Sequence, residues 1–253
     1  MITKFIGLGG LPRSGATLLS SILSQNPEIH AEGNSAVCQL MTDMQQSCYG
    51  AANEQLNTSN RLHTVHDLVA SIPTTYYKDV TAPIIIDKCR TWMTPDNTAL
   101  LSKYFNQKPK VIVMERQIAD IVKSFVAQAI RNGNSVDAVL ENFMTPYSEP
   151  IMKAFHGCAW AKHTNKGEFL FIAYDDLVDN TKAVLDSVYE FCEILPFNHD
   201  LTKIINIHPE NDALYNNSGL HDVRPTIGRR KIDVVLPEII SRRCNALQQE
   251  ANL

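Results

Sequence analysis

The chain has 253 residues, 44% of them hydrophobic and 20% charged, with a formal net charge of −4. This is the composition of a soluble globular protein with ample length to bury a core. It excludes a globally basic nucleic-acid binder, and no apolar run reaches the roughly 20 residues that cross a bilayer.

The opening "MITKFIGLGG" is too soon broken by glycine for a secretory leader, so a cytoplasmic protein is expected, with neither nucleic acid nor membrane as partner. The six cysteines, Cys38, Cys48, Cys89, Cys158, Cys192 and Cys244, form no C-x-x-C pair. Reduced, buried thiols are the reading they support. The two N-x-S sequons at Asn57 and Asn216 matter only in a secretory compartment and are discounted.

In chain order, residues 4–9 predict a buried strand and 17–25 a helix with apolar spacing. "EIHAEG" predicts a short second strand and 35–47 a helix, followed by the polar stretch "GAANEQLNTSN", expected to be irregular. "APIIIDK" reads as a strand buried on both faces, as parallel sheets require. "DNTALLSKYF" is a capped helix and "PKVIVMER" the next strand. "IADIVKSFVAQAIRNG" is a helix closed by glycine.

Residues 135–165 predict further helix, interrupted near Pro146 and Pro150. "EFLFIAYDDL" predicts a strand, and a helix follows from about Asn180 to Cys192. A loop-rich tail carries the basic segment "VRPTIGRRK" and a last helix starting near Pro237. Strands alternating with helices argue for an α/β protein with a parallel sheet. With no repeat and no linker, one domain over 1–253 is expected.

The first strand runs into "GGLPRSGATLLSS". From Gly10 the spacing is G-x-x-x-x-G, but Ala16 stands where a Walker-type loop has lysine, and Arg13 lies inside the loop. Glycines after a buried strand let successive amides face one anion, with a helix N-terminus behind them. Gly10, Gly15 and the amides of Ser14 to Thr17 would form that cradle, with the Thr17 hydroxyl as a further donor. A plain strand-to-helix turn has the same composition. Losing the lysine removes the cation that reaches the terminal phosphates in kinases and ATPases, whereas an arginine fork suits a tetrahedral anion.

These residues carry a resemblance. "GLPRSGATLLSSILSQNPEIHAEG" resembles the 5′-phosphosulfate loop of the sulfotransferases that use 3′-phosphoadenosine 5′-phosphosulfate (PAPS). The likeness is to the P-R-S-G-T-T-L version of tyrosylprotein, carbohydrate and bacterial members, with Ala16 in place of a threonine. A second motif is in register. The family has an arginine at the end of a later strand and a serine about two helical turns on, both on the 3′-phosphate, and "VIVMERQIADIVKSF" has Arg116 and Ser124 at that separation. "IIIDKCRTW" is similar to the D-K-x-P segment, with Cys89 and Arg90 where the family has a small residue and proline.

"FIAYDDLVDNTKAVLDSVYEFCEIL" resembles the Y-E-D-L-x-x-x-P region, with Tyr174 in place. "SGLHDVRPTIGRRK" resembles the segment that closes over the nucleotide, with Arg230 replacing tryptophan. The likeness runs from residue 5 to about 237 and is weakest between 45 and 80.

The resemblance implies a P-loop-type three-layer fold, a central parallel sheet of about five strands flanked by helices. It implies sulfuryl transfer from PAPS, released as 3′,5′-bisphosphoadenosine (PAP), to an acceptor hydroxyl on a tyrosyl peptide, a carbohydrate or a small alcohol, with no metal required. Arg13, Ser14, Gly15, Ala16 and Thr17 would hold the 5′-phosphosulfate, and Arg116 with Ser124 the 3′-phosphate. Tyr174 would contact the nucleotide, Arg229 and Lys231 would close over the 3′ side, and Lys88 would stabilise charge on the bridging oxygen.

The acceptor must also lose a proton as it attacks. The tyrosylprotein members place their base glutamate in a C-G-E-E-T segment whose position falls on Asn34. Glu32, two residues away, is the preferred catalytic base, with His30, Asp87 or the acceptor's own chemistry as alternatives; a helix-capping surface carboxylate is the plain reading of Glu32.

"PIIID" also fits a magnesium-binding Walker B strand ending at Asp87, although an aspartate bracing the loop suits the missing lysine better. His63 and His66, like His156 and His163, are helix-compatible pairs with no cysteine or carboxylate partners to complete a metal site. Two other readings stay open: a kinase or NTPase with an altered loop, and an inactive PAP-binding protein. The acceptor class and the oligomeric state are not written in these motifs.

Overall fold

The computed structural model describes residues 2–105, 107–229 and 231–251. Its centre is a sheet of five parallel strands: β1 (Lys4–Gly10), β2 (Ile29–His30), β3 (Ile84–Lys88), β4 (Val111–Glu115) and β5 (Phe169–Ala173). Their order across the sheet is β2-β3-β1-β4-β5. β1 is therefore central, with Phe5 opposite Ile85 on one side and Leu8 opposite Ile112 on the other.

The unbroken aliphatic runs of β1, β3 and β4 follow from burial on both faces, since successive side chains point to opposite sides. Phe5, Ile85, Val111 and Val113 face one layer, and Ile6, Ile86, Ile112 and Met114 the other. Each such side chain removed from water contributes about 1.5–3 kcal/mol.

The first layer holds α2 (Val37–Tyr49), α4 (Val65–Tyr76), α5 (Pro95–Tyr104), α6 (Ile118–Asn132), α7 (Val136–Met144), α8 (Ile151–Thr164) and α11 (Glu238–Glu250). The second holds α1 (Ala16–Leu23), α9 (Tyr174–Asp179) and α10 (Thr181–Cys192). Between α2 and α4 lies α3 (Asn53–Thr58), which buries none of its side chains. The architecture is the three-layer α/β arrangement with a five-strand parallel sheet that the sequence led us to expect.

Three local readings need correction. The polar stretch read as irregular contains α3; its residues are helix-compatible but carry no apolar stripe that a periodicity argument could detect. Residues 65–76 form α4, which the pattern did not disclose. Its inward residues are Val65, Val69 and Pro73, and a proline inside a helix breaks the usual signature. The fifth strand ends at Ala173, so Tyr174 opens a helix instead of closing a strand.

The strands being parallel, all their C-terminal ends open on one rim. β1 pairs with β3 on one side and β4 on the other, and the β3-to-β4 connection crosses over it, the switch in direction at which ligands lodge in open α/β sheets.

Candidate functional site

The turn after β1 is built on two glycines with positive φ. Gly10 has φ 117°, and a side chain there would run into the Met114 backbone, to which Leu11 N is hydrogen-bonded at 2.8 Å. Gly15 has φ 91° and caps α1; a Cβ would lie 3.0 Å from the Tyr174 ring. Between them Arg13 also adopts φ 60°, a left-handed conformation costly for a residue with a side chain. The buried Ser14 hydroxyl donates to Leu11 O and ties the turn to itself.

No hydrogen bond among the described residues engages the amides of Ser14, Gly15, Ala16 or Thr17. Those amides sit at the positive end of α1 and are free to grip an anion.

The side chains around this turn come from far along the chain. Arg13 Nε lies 3.1 Å from Ser124 Oγ, and its guanidinium also donates to Leu220 O. Arg116, just past β4, donates to Arg13 O at 2.7 Å and stacks over the Tyr174 ring at 4.2 Å from its centroid. Arg116 Nε is buried without a hydrogen-bond partner. An orphaned guanidinium N–H beside free loop amides is an arrangement that an anionic ligand completes.

Lys88 ends β3. Its Nζ lies 3.1 Å from Thr17 Oγ1 and 2.8 Å from Glu210 Oε1. Burial pulls its pKa down, opposed by the Glu210 carboxylate. Arg13, Gly15, Ala16, Thr17, Lys88, Arg116, Ser124 and Tyr174 all line one cleft of about 230 Å³, together with Asn34, Arg90, Phe125, His221 and Arg224. Arg90, one strand-end from Lys88, pairs with Glu149 at 3.2 Å.

Other expected site residues lie apart from this group. Glu32 is not in the cleft lining; its carboxylate meets His30 Nε2 at 3.1 Å, the two residues sharing one side of an extended segment. Arg229 is 56% exposed and bridges Asp175, at 3.2 Å, and Asp179 of α9. Lys231 is 87% exposed and pairs with Asp233 at 3.0 Å. Their neighbours Gly228 and Ile232 do line the cleft. Arg230 lies outside the described residues.

Asp87 is fully buried, its carboxylate accepting from Ser35 Oγ, from Tyr77 Oη at 2.6 Å and from Trp92 Nε1 at 2.6 Å. Burial raises its pKa against those three donors. It braces the first turn of the β2–α2 connection and offers no oxygen to a metal.

The sequence reading missed Glu210, Asp212 and His221. They belong to the aperiodic segment after α10 that folds back over the cleft, and only charge and residue type marked them. That segment is pinned to the end of α6, where Gln128 Nε2 donates to Ser218 O at 2.7 Å and Asn134 Nδ2 to Asn216 O at 3.0 Å.

Comparison with known proteins gives one answer. A curated relative, sulfotransferase 6B1 of Danio rerio, is 26% identical over 133 residues, which are 51% of this chain and 44% of that protein. This chain therefore matches less than half the length of that relative.

Among solved structures, the sulfotransferase domain from the Synechococcus PCC 7002 olefin synthase is similar at a TM-score of 0.60 and 15% identity. The match covers 100% of this chain and 96% of that one. The sulfotransferase domain from the curacin biosynthetic pathway is similar at 0.54 and 16%, with 98% of both chains covered. These two share the fold with this chain. The sequence profile of the sulfotransferase family matches residues 6–198. With that match over most of its length, the chain belongs to the sulfotransferase family.

Proposed function

We propose that this protein is a PAPS-dependent sulfotransferase that moves a sulfuryl group to an acceptor hydroxyl and releases PAP. The observation that carries the reading is the meeting of Arg116 and Ser124 at Arg13. Two groups more than a hundred residues from the loop, at the spacing of a 3′-phosphate pair, both hydrogen-bond to the loop that would hold the 5′-phosphosulfate. In this reading the amides of Ser14 to Thr17 take the 5′ end. Arg116, with its unsatisfied Nε, and Ser124 take the ribose phosphate, while Tyr174 orients the nucleotide.

Arg229 and Lys231, whose neighbours Gly228 and Ile232 line the cleft, would swing from their carboxylate partners to close on the 3′ side. Lys88, beside Thr17, meets the charge that grows on the bridging oxygen as the sulfur–oxygen bond breaks. Because Arg116 and Tyr174 immediately follow β4 and β5, the nucleotide would occupy that half of the rim. The ends of β2 and β3, with Asn34, Lys88 and Arg90, are left for the acceptor.

A kinase or NTPase reading needs a carboxylate for magnesium. Asp87, which its position would nominate, spends its oxygens on Ser35, Tyr77 and Trp92. The six unpaired cysteines fit a reducing, cytoplasmic compartment.

Titration calorimetry with PAP and with ATP, each with and without magnesium, tests the proposal. PAP is expected to bind equally well in both conditions and more tightly than ATP. Binding of ATP alone, dependent on magnesium, would overturn it.

A further inference from the structure

His221 sits on the segment that returns over the cleft, and its side chain is 17% exposed. Asp212 grips it at two points: Oδ2 accepts from the His221 backbone N at 2.8 Å, and Oδ1 lies 2.6 Å from Nδ1. Glu210 Oε2 lies 3.4 Å from the same Nδ1, while Glu210 Oε1 holds Lys88 Nζ at 2.8 Å. The carboxylates of Glu210 and Asp212 and the Lys88 ammonium are each about nine-tenths buried.

A carboxylate on Nδ1 fixes the proton of a neutral imidazole there and leaves the lone pair on Nε2. Among the described residues no hydrogen bond engages Nε2, and it is not one of the buried orphaned atoms. His221 lines the cleft as well as the smaller cavity behind it, and while Asp212 fixes its ring, Glu210 lies between that ring and Lys88. Burial opposes ionisation of Asp212, but the backbone amide and ring of His221 outweigh it and hold that carboxyl below its usual range.

We propose that His221 is the catalytic base that takes the acceptor's proton, with Asp212 and Glu210 as positioning residues. The inference rests on the sulfuryl-transfer reading above. In the step, the acceptor O–H bond breaks and its proton passes to Nε2, giving an imidazolium paired with Asp212. The acceptor oxygen forms the new bond to sulfur as the bond from sulfur to the nucleotide phosphate oxygen breaks. That oxygen leaves with the electron pair beside Lys88. The groups facing His221 are Asp212 and Glu210 from its own segment and Lys88 from β3 through Glu210. Asp222 and Arg224 line the same cleft.

The test uses the full chain and radiolabelled PAPS with three acceptors: water, ethanol and 4-nitrophenol at a pH where the phenol is already ionised. PAP affinity is measured beside turnover. His221→Asn is expected to keep PAP binding and to lose about 10²–10⁴-fold in turnover with water and ethanol. It should lose far less with the nitrophenolate, which has no proton to give. Asp212→Asn, which reverses the donor and acceptor on Nδ1, is expected to lower turnover and displace the acidic limb of the pH–rate profile.

Equal losses on ethanol and nitrophenolate would overturn the assignment. So would full activity in His221→Asn, a fall in Glu32→Gln in its place, or a wild-type chain that binds PAP yet turns over none of the three acceptors. A wild-type chain that does not bind PAP defeats the parent reading instead, and this one with it.

Discussion

Arg13 is the residue on which the site turns. It holds a left-handed backbone, lends its carbonyl to Arg116 and its Nε to Ser124, and so welds a local turn to two distant elements. The candidacy of Arg13, Arg116 and Ser124 was legible, because their short-range spacing resembles the family motifs, although the bonds that join them were not. Glu210 and His221 were not, because an aperiodic tail reaches the cleft only by tertiary folding. Glu32 lies beside the base position that the resemblance implies, but its side of the extended segment meets His30.

Lys88 tests the proposed charge stabilisation most directly. Lys88→Met should lower turnover by about 10²–10³-fold, the usual cost of losing a donor to developing charge. PAP affinity should move little, because the amides and guanidinium groups are untouched. Single-turnover kinetics beside calorimetry separates the two, and parallel losses in both would refute the role. The variant also leaves Glu210 buried without its ammonium, so its melting temperature belongs in the same experiment.

At the scale of elements, the strands and most helices could be read from the sequence because the physical period is visible in it. Ile84, Ile85 and Ile86 announce a strand buried on both faces, and "IRNG" ends α6 on a left-handed glycine. What escaped were α3 and α4, one with Leu56 as its single apolar residue and the other carrying Pro73 inside.

The Asp87 cluster shows why β3, the loop before α2, the end of α4 and the turn after β3 keep their relative places. One carboxylate serves Ser35, Tyr77 and Trp92, and every partner sits on a different element or connection. Replacing it with alanine orphans three donors, each costing about 1–3 kcal/mol when buried and unpaired. Asp87→Ala is therefore expected to lose about 3 kcal/mol or more of stability. The check is a lower urea midpoint at unchanged slope; a midpoint within error of wild type would remove the bracing role.

Across the whole molecule, acidification acts through a half-buried histidine. His199 hydrogen-bonds Tyr189 Oη through Nε2 at 2.9 Å, its Nδ1 is buried without a partner, and burial lowers its pKa. The folded state then binds fewer protons than the unfolded chain just below the ordinary histidine value of about 6.5. Its contribution is full above that value and is lost as pH falls through the lower folded pKa.

Asp87 and Glu115, whose carboxyls burial pushes up, act with the opposite sign as pH falls through their raised values. The measurement is therefore a difference. Between pH 7 and 5 the urea midpoint of wild type should fall more than that of His199→Gln, and parallel profiles would contradict the assignment.

The register of the sheet has a consequence for how the protein is made. β1 is paired first with a strand around residue 84 and then with one around residue 111, and the conformation of Gly10 depends on the Met114 backbone. A nascent chain therefore emerges with its future anion grip unformed, two naked edges on its first strand, and no hairpin to protect them. No ligand of the cleft can chaperone early synthesis of this protein, because the cleft takes its lining from residues as late as Ile232 and is among the last things translation completes.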